Sequence, residues 1–249
     1  MTSIITGSNA HLLSSELSTY LSGRYVEIKV LPLSFREFLD FHGYTVSQRK
    51  TITGQMKKRI TDADGEVCDP KELYEAFAKF GGMPMLANVR LELDRVSATL
   101  EGVYSAVVVR DILEREKRKG QRTITDSLLL RNLMMSLADN IGNSVSATSI
   151  GNTLISEGLL TEGNRKVKPA THTIQAYFEA LKDSYISYEI KRFDIKGKES
   201  LKTLGKYYVV DTGLRNYLLR QPVFPFAAGT VTGVKKILIS DEIHDMIKS

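Results

Sequence analysis

Residues 171 to 193, Thr-His-Thr-Ile-Gln-Ala-Tyr-Phe-Glu-Ala-Leu-Lys-Asp-Ser-Tyr-Ile-Ser-Tyr-Glu-Ile-Lys-Arg-Phe, run from a helical pattern into a strand. Ile174, Tyr177, Phe178, Leu181 and Tyr185 recur at spacings of 3, 4 and 7, which puts them on one face of a helix that starts at Thr171. Two strands come next, around Tyr188 to Phe193 and Lys206 to Val210, separated by the basic loop from Lys196 to Lys202. Upstream, Thr125 or Asp126 caps a helix bearing Leu128, Leu129, Leu133, Leu137 and Ile141. Ser146 caps a shorter one with Ile150 and Leu154 on one face.

Three helices followed by a long two-stranded hairpin is the winged helix-turn-helix arrangement, in which the third helix is the one placed to enter a major groove. This reading assigns residues 121–221 to a winged-helix domain. The solvent face of the third helix carries His172, Gln175, Glu179 and Lys182. Gln175 is able to read adenine, whereas Glu179 opposes phosphates. The wing holds Lys191, Arg192, Lys196, Lys198, Lys202 and Lys206 against Asp194 and Glu199, a net charge of +4. Such a cluster neutralises phosphates without reading sequence. The DNA-binding candidates are therefore His172, Gln175, Lys182, Lys191, Arg192, Lys196, Lys198 and Lys202, with duplex DNA as partner. A solvated basic hairpin on a protein-contact module is the alternative.

Further towards the N-terminus, residues 46–120 read as a helical lid. Asp69-Pro70 starts a helix with Leu73, Phe77 and Phe80 on one face, stopped by Gly81-Gly82. A longer helical stretch follows from Pro84 to Lys119, broken near Thr99 to Tyr104, and the charged run Glu114 to Arg122 marks a boundary. Before the lid, Ser34 with Glu37 three positions on makes a capping box for a helix ending at Phe41.

At the start of the chain, Ile4-Ile5 ends a strand-type run and Thr6-Gly7-Ser8-Asn9 is a polar turn. Apolar residues at 12, 13, 17, 20 and 21 take helical spacing, Gly23 ends that helix, and Tyr25 to Val30 alternates with period two. This order of strand, polar tip, helix, Gly-Arg and strand resembles the sensor-1 strand, arginine-bearing helix and last core strand of AAA-type ATPases. The chain is similar to a prokaryotic ATP-binding family with a helical lid, a winged-helix domain and a C-terminal nuclease-like domain of unknown function. The similarity continues through Phe80-Gly81-Gly82-Met83-Pro84, Val109-Arg110-Asp111-Ile112 and Lys206 to Leu214, and covers residues from about 4 to 220.

The resemblance implies that residues 1–45 are an ATPase-core remnant, in which Arg24 is the arginine-finger candidate and Ser8 and Asn9 are the sensor-1 candidates. Bland readings stand beside these: Arg24 as a cation at a helix C-terminus, Ser8 or Asn9 as a helix N-cap. No G-x-x-x-x-G-K-[ST] phosphate loop occurs in the sequence: Gly197-Lys198 is followed by Glu199 and Gly205-Lys206 by Tyr207. The family would place the Walker A and Walker B half upstream of Ile4, so the chain reads as a truncated member. ATP and Mg2+ are then expected as cofactors only when the missing half-core is supplied, by the other ATPase half or by a homo-oligomer. Residues 222–249 read as a tail, a vestige of the nuclease-like domain.

Composition narrows the rest. A single cysteine, Cys68, excludes a disulfide framework, and its position between Glu66 and Asp69 disfavours a thiolate. His11, His42, His172 and His244 show no metal-ligand spacing, so no metal is expected. No run is long enough to span a membrane and no leader pattern opens the chain, which points to a cytoplasmic protein without a membrane partner. The expected fold class is mainly α with small β elements: core remnant, helical lid and winged helix. The expected function is coupling of nucleotide state to DNA or partner binding without self-contained ATP hydrolysis. The alternative is a non-enzymatic winged-helix DNA-binding or protein-interaction module.

Overall fold

The computed structural model describes residues 26, 28–50, 54, 56–106, 112–114, 124–159, 161–162, 165–166, 169–190 and 205–220. The elements in chain order are α1 (Phe35–Phe41), β1 (Thr45–Lys50), β2 (Met56–Thr61), β3 (Val67–Cys68), α2 (Pro70–Phe80), a 3-10 helix (Pro84–Asn88) and α3 (Leu93–Val103). They continue with α4 (Ser127–Asp139), β4 (Ser144–Val145), α5 (Ala147–Ser156), β5 (Thr161–Glu162), β6 (Arg165–Lys166), α6 (Thr171–Asp183), β7 (Ser187–Ile190), β8 (Gly205–Val209) and α7 (Thr212–Leu219). The protein is mainly α-helical with small antiparallel sheets, as expected. These elements form two compact units, one holding residues 31–100 and the segment from Asp211, the other residues 101–210.

The first unit is built on two well-marked helix starts. Ser34 caps α1 in a reciprocal box: its N–H donates to Glu37 Oε2 at 2.8 Å, and the Glu37 N–H donates to Ser34 Oγ at 3.4 Å. The Ser34 N–H, and then the Ser34 hydroxyl donating to the same Oε2 at 2.7 Å, hold the Glu37 carboxyl below its ordinary range. Asp69 caps α2, Pro70 takes the first helical position, and Gly81 ends the helix at a φ of 84° that a side chain would resist. Between the helices Phe35, Phe38, Leu39, Leu73, Tyr74 and Phe77 form the core, with Phe35 edge-on to Tyr74 at 5.3 Å.

Thr45–Lys50, Met56–Thr61 and Val67–Cys68 are strands, all but Thr45 inside the segment that the sequence reading assigned to a helical lid. β1 pairs with β2 from Thr45↔Thr61 to Lys50↔Met56, and β3 adds to β2 at Ile60↔Cys68. Only Val46 and Ile60 of the first pair of strands reach the core, and they face each other across the ladder. The two apolar contacts give little period-two signal, which is why the sheet was not legible. The expected long helix from Pro84 is also corrected: it breaks at Val89–Glu92, before the expected site. In one straight helix Leu86 and Leu100 would lie about 21 Å apart along the axis. The break lets Leu86, Val96 and Leu100 share one cluster with Phe80.

A clasp closes this unit. Asp211 is buried, accepting the Gly82 N–H on Oδ2 at 2.7 Å and the Leu214 N–H on Oδ1 at 2.8 Å, and so ties the Gly81-Gly82 turn to the start of α7. Burial pushes its carboxyl above the ordinary range, while the N–H groups of Leu214, Gly82 and Gly213 pull it back. Main chains approach so closely here that only glycine fits. A Cβ on Gly213 would run into the Phe80 carbonyl oxygen, and one on Gly82 into that of Leu33, whose N–H donates to the Gly82 carbonyl at 2.7 Å. Asn216 completes the seam by donating to the carbonyls of Ala78 and Lys79.

The second unit begins with Asp126 capping α4 through the N–H groups of Leu128 and Leu129. Ser146 caps α5 in a box with Ser149, and α6 starts at Thr171 as expected. Its sheet has the order β4-β8-β7, and the pairs run from Ser187↔Val209 to Ile190↔Lys206 and through Ser144↔Lys206. Leu130, Leu133, Leu137, Ile150, Leu154, Ile174, Phe178 and Leu181 fill the space between helices and sheet. Tyr177 is buried there with its hydroxyl accepting from the Asp126 N–H at 3.0 Å, which satisfies the polar tip of the ring and fixes the α4 cap. Two expectations shift at helix ends. Leu128 is exposed in the first turn of α4, and Tyr185 lies beyond α6 at a φ of 54°.

Candidate nucleic-acid interface

Helix α6 carries the expected DNA-facing residues, and its buried stripe decides which way they point. With Ile174, Tyr177, Phe178 and Leu181 turned inward, His172, Gln175 and Glu179 are exposed on the opposite face. His172 and Gln175 are free in this sense to meet a partner. Lys182 is not. Its Nζ sits 2.8 Å from Glu179 Oε1 and 2.9 Å from Glu189 Oε2, bridging α6 to β7. Partial burial lowers its proton affinity, but hydrogen bonds to Glu179 and Glu189 outweigh this and leave it raised.

The bridge continues into the sheet. Glu189 lies opposite Tyr207, whose hydroxyl is pushed up to about 12 by burial first and by the Glu189 carboxylate second. A Cβ on Gly205 would meet the Glu189 side chain, which lies over this position. Lys182 is thus a neutralised strut between helix and hairpin. The spacing of residues 179 and 182 on one helix was visible in the sequence, whereas Glu189 required the tertiary fold.

On the other side of the sheet Tyr188 and Tyr208 stack with ring centres 5.4 Å apart and planes within 14°. They share that face with the half-exposed Ile190 and the exposed Lys206. The remaining expected contacts, Lys191, Arg192, Lys196, Lys198 and Lys202, lie outside the described residues, as do Ser8, Asn9, Arg24 and the tail. Cys68 is a poor nucleophile: desolvation and then the Asp62 carboxylate push its thiol up. Among the described residues no group of His, Cys, Asp and Glu is arranged to hold a metal ion, and no helix is long and apolar enough to cross a membrane.

One charged surface was missed at the sequence level. Hairpin β1–β2 carries Arg49, Lys50, Lys57, Lys58 and Arg59 with no acidic residue between Thr45 and Thr61. Its signal, a run of cations without anions, was present but fell inside the segment assigned to helix.

Comparison with known proteins adds the family. Residues 1–39 match an AAA domain. An uncharacterized protein of Haemophilus influenzae is 38% identical over 216 residues, which is 87% of this chain and 45% of that protein. An uncharacterized protein of Methanocaldococcus jannaschii is 30% identical over 220 residues, 86% of this chain and 42% of that protein. The chain therefore spans less than half the length of these curated relatives. No solved structure matches it. Residues 71–223, more than half of the chain, match a family described as a domain of unknown function, and the chain belongs to that family, DUF8612.

Proposed function

We propose that this chain is the C-terminal portion of an AAA-type ATP-binding protein and couples nucleotide state to DNA binding through a winged-helix unit. The match of residues 1–39 to an AAA domain carries the reading. The order α4-β4-α5-α6-β7-β8 with sheet order β4-β8-β7 supports the winged-helix half, since it is three helices closed by a hairpin with α6 as the third. The exposed His172 and Gln175 on α6 and the basic sequence from Lys191 to Lys202 favour DNA as the partner.

Fluorescence anisotropy on a labelled duplex tests this reading. Binding is expected to be micromolar or weaker and indifferent to sequence, because phosphate contacts hold no base information. Its log–log salt slope should fall by up to about three units of 0.9 when Lys196, Lys198 and Lys202 are replaced together by alanine. Lys182→Ala should leave the slope unaltered, because that ammonium is already engaged by two carboxylates. A chain that binds no duplex at low salt would refute DNA as partner and turn the unit into a protein-contact module.

A further inference from the structure

We infer that the hairpin β1–β2 is a second, separate duplex-DNA contact: a basic ribbon that lies in the major groove. The inference does not depend on the winged-helix reading, since the hairpin belongs to the other compact unit.

Charge is the first observation. The chain has 34 basic and 29 acidic side chains, so the five cations between Thr45 and Thr61 equal its whole surplus. Among the described residues none of the five forms an ion pair. Arg59 adds a buried Nε without a hydrogen-bond partner.

Register is the second. Arg49 stands directly opposite Lys57, and Gln48 opposite Lys58. Like charges facing each other across a ladder destabilise a sheet. Arg49, Lys57 and Arg59 share the face turned from Ile60, while Lys50 and Lys58 lie on the face of Ile60; Arg49, Lys50 and Lys57 are exposed, and Lys58 and Arg59 are half-buried. A solvated hairpin gains nothing from this concentration, and a polyanion removes its cost.

Shape is the third. Val46 and Ile60 anchor the root of the ribbon in the aromatic core, so its outer half projects from a fixed base. Strands of six residues are about 20 Å long. The B-form major groove, about 12 Å wide, admits a two-stranded ribbon, whereas the deep, narrow major groove of duplex RNA does not. Cations on both faces of the ribbon's outer half suit a groove walled by phosphates on two sides.

The test uses the whole chain with a labelled duplex of mixed sequence, from about 50 to 200 mM salt. Replacing Arg49, Lys50 and Lys57, all exposed, by glutamine is expected to weaken binding at low salt at least tenfold. The salt slope should flatten by up to about three units of 0.9. The wing variant at Lys196, Lys198 and Lys202 leaves this loss in place, so the two surfaces are read separately. Lys57→Glu gives a sharper contrast: it relieves the opposition to Arg49 and should raise the melting temperature while still lowering DNA affinity. Affinity and slope unchanged in both hairpin variants would overturn the inference. So would equal binding to duplex RNA, or binding to anionic vesicles in place of DNA.

Discussion

Replacing Gly213 by valine should lower the unfolding temperature by roughly 6 to 12 °C, and Asp211→Asn should cause a loss of similar size. The argument for Gly213 is steric. The first turn of α7 lies against the end of α2, and a Cβ there would overlap the Phe80 carbonyl oxygen, a main-chain atom that cannot rotate away. Overpacking of this kind costs about 1 to 3 kcal/mol, and a main-chain obstacle puts it at the upper end, about 3 kcal/mol. For a chain of this size each kcal/mol is worth about 2 to 4 °C. The argument for Asp211 concerns its two oxygens, each of which accepts a different N–H, from Leu214 and from Gly82. An amide presents only one acceptor, so one buried N–H would face an NH2 group and lose its partner, at about 1 to 3 kcal/mol, with a helix cap lost besides. Both residues serve one clasp, so the double variant should lose clearly less than the sum of the two. Thermal unfolding by circular dichroism of the three variants measures this. A Gly213→Val protein that melts with the parent would mean that α7 does not hold the α2 end.

These two residues also show where sequence reading stops. Helix starts were legible because each depends on neighbours in the chain: Ser34 with Glu37, Asp69 with Pro70, Asp126, Ser146 with Ser149. The stripe on α6 was legible because burial of Ile174, Tyr177, Phe178 and Leu181 follows the helical period. Helix α7 was not: its apolar stripe is only Leu214, Tyr217 and Leu218 within eight residues, and the rest of its docking, Gly213 and Asn216 against main-chain carbonyls, leaves no pattern. Strand β4 is two residues long, too short for any period, and exists because β8 pairs with it. On the candidate DNA face, exposure of His172 and Gln175 followed from the stripe itself. The neutralisation of Lys182 did not, because half of it comes from Glu189 on a strand that only the fold brings near.

On the proposed ATPase reading, Arg24→Ala should cut ATP turnover by two orders of magnitude or more once the half-core that carries a phosphate loop is supplied. Without that half the chain should show no turnover above background, because its sequence contains no Gly-rich loop ending in Gly-Lys-Ser or Gly-Lys-Thr to hold the phosphates. The size of the Arg24 effect follows from what a guanidinium does at a γ-phosphate. Charge spreads over the transferring oxygens in the transition state, and an arginine placed there is worth about 10³ to 10⁵ in rate in other NTPases. An interaction made chiefly in the transition state alters turnover and leaves ground-state affinity nearly untouched. Nucleotide binding by Arg24→Ala, followed with a fluorescent analogue, should therefore stay within about twofold of the parent while turnover collapses. Arg24→Lys separates charge from shape: a point charge without the planar fork should restore only a small part of the rate. The competing assignment, a cation at a helix C-terminus, is worth about 0.3 to 1 kcal/mol of stability. It predicts the reverse pattern, a slightly lower melting temperature with unaltered turnover. Measuring both quantities on one set of proteins separates the two assignments, since each moves the readout that the other leaves alone.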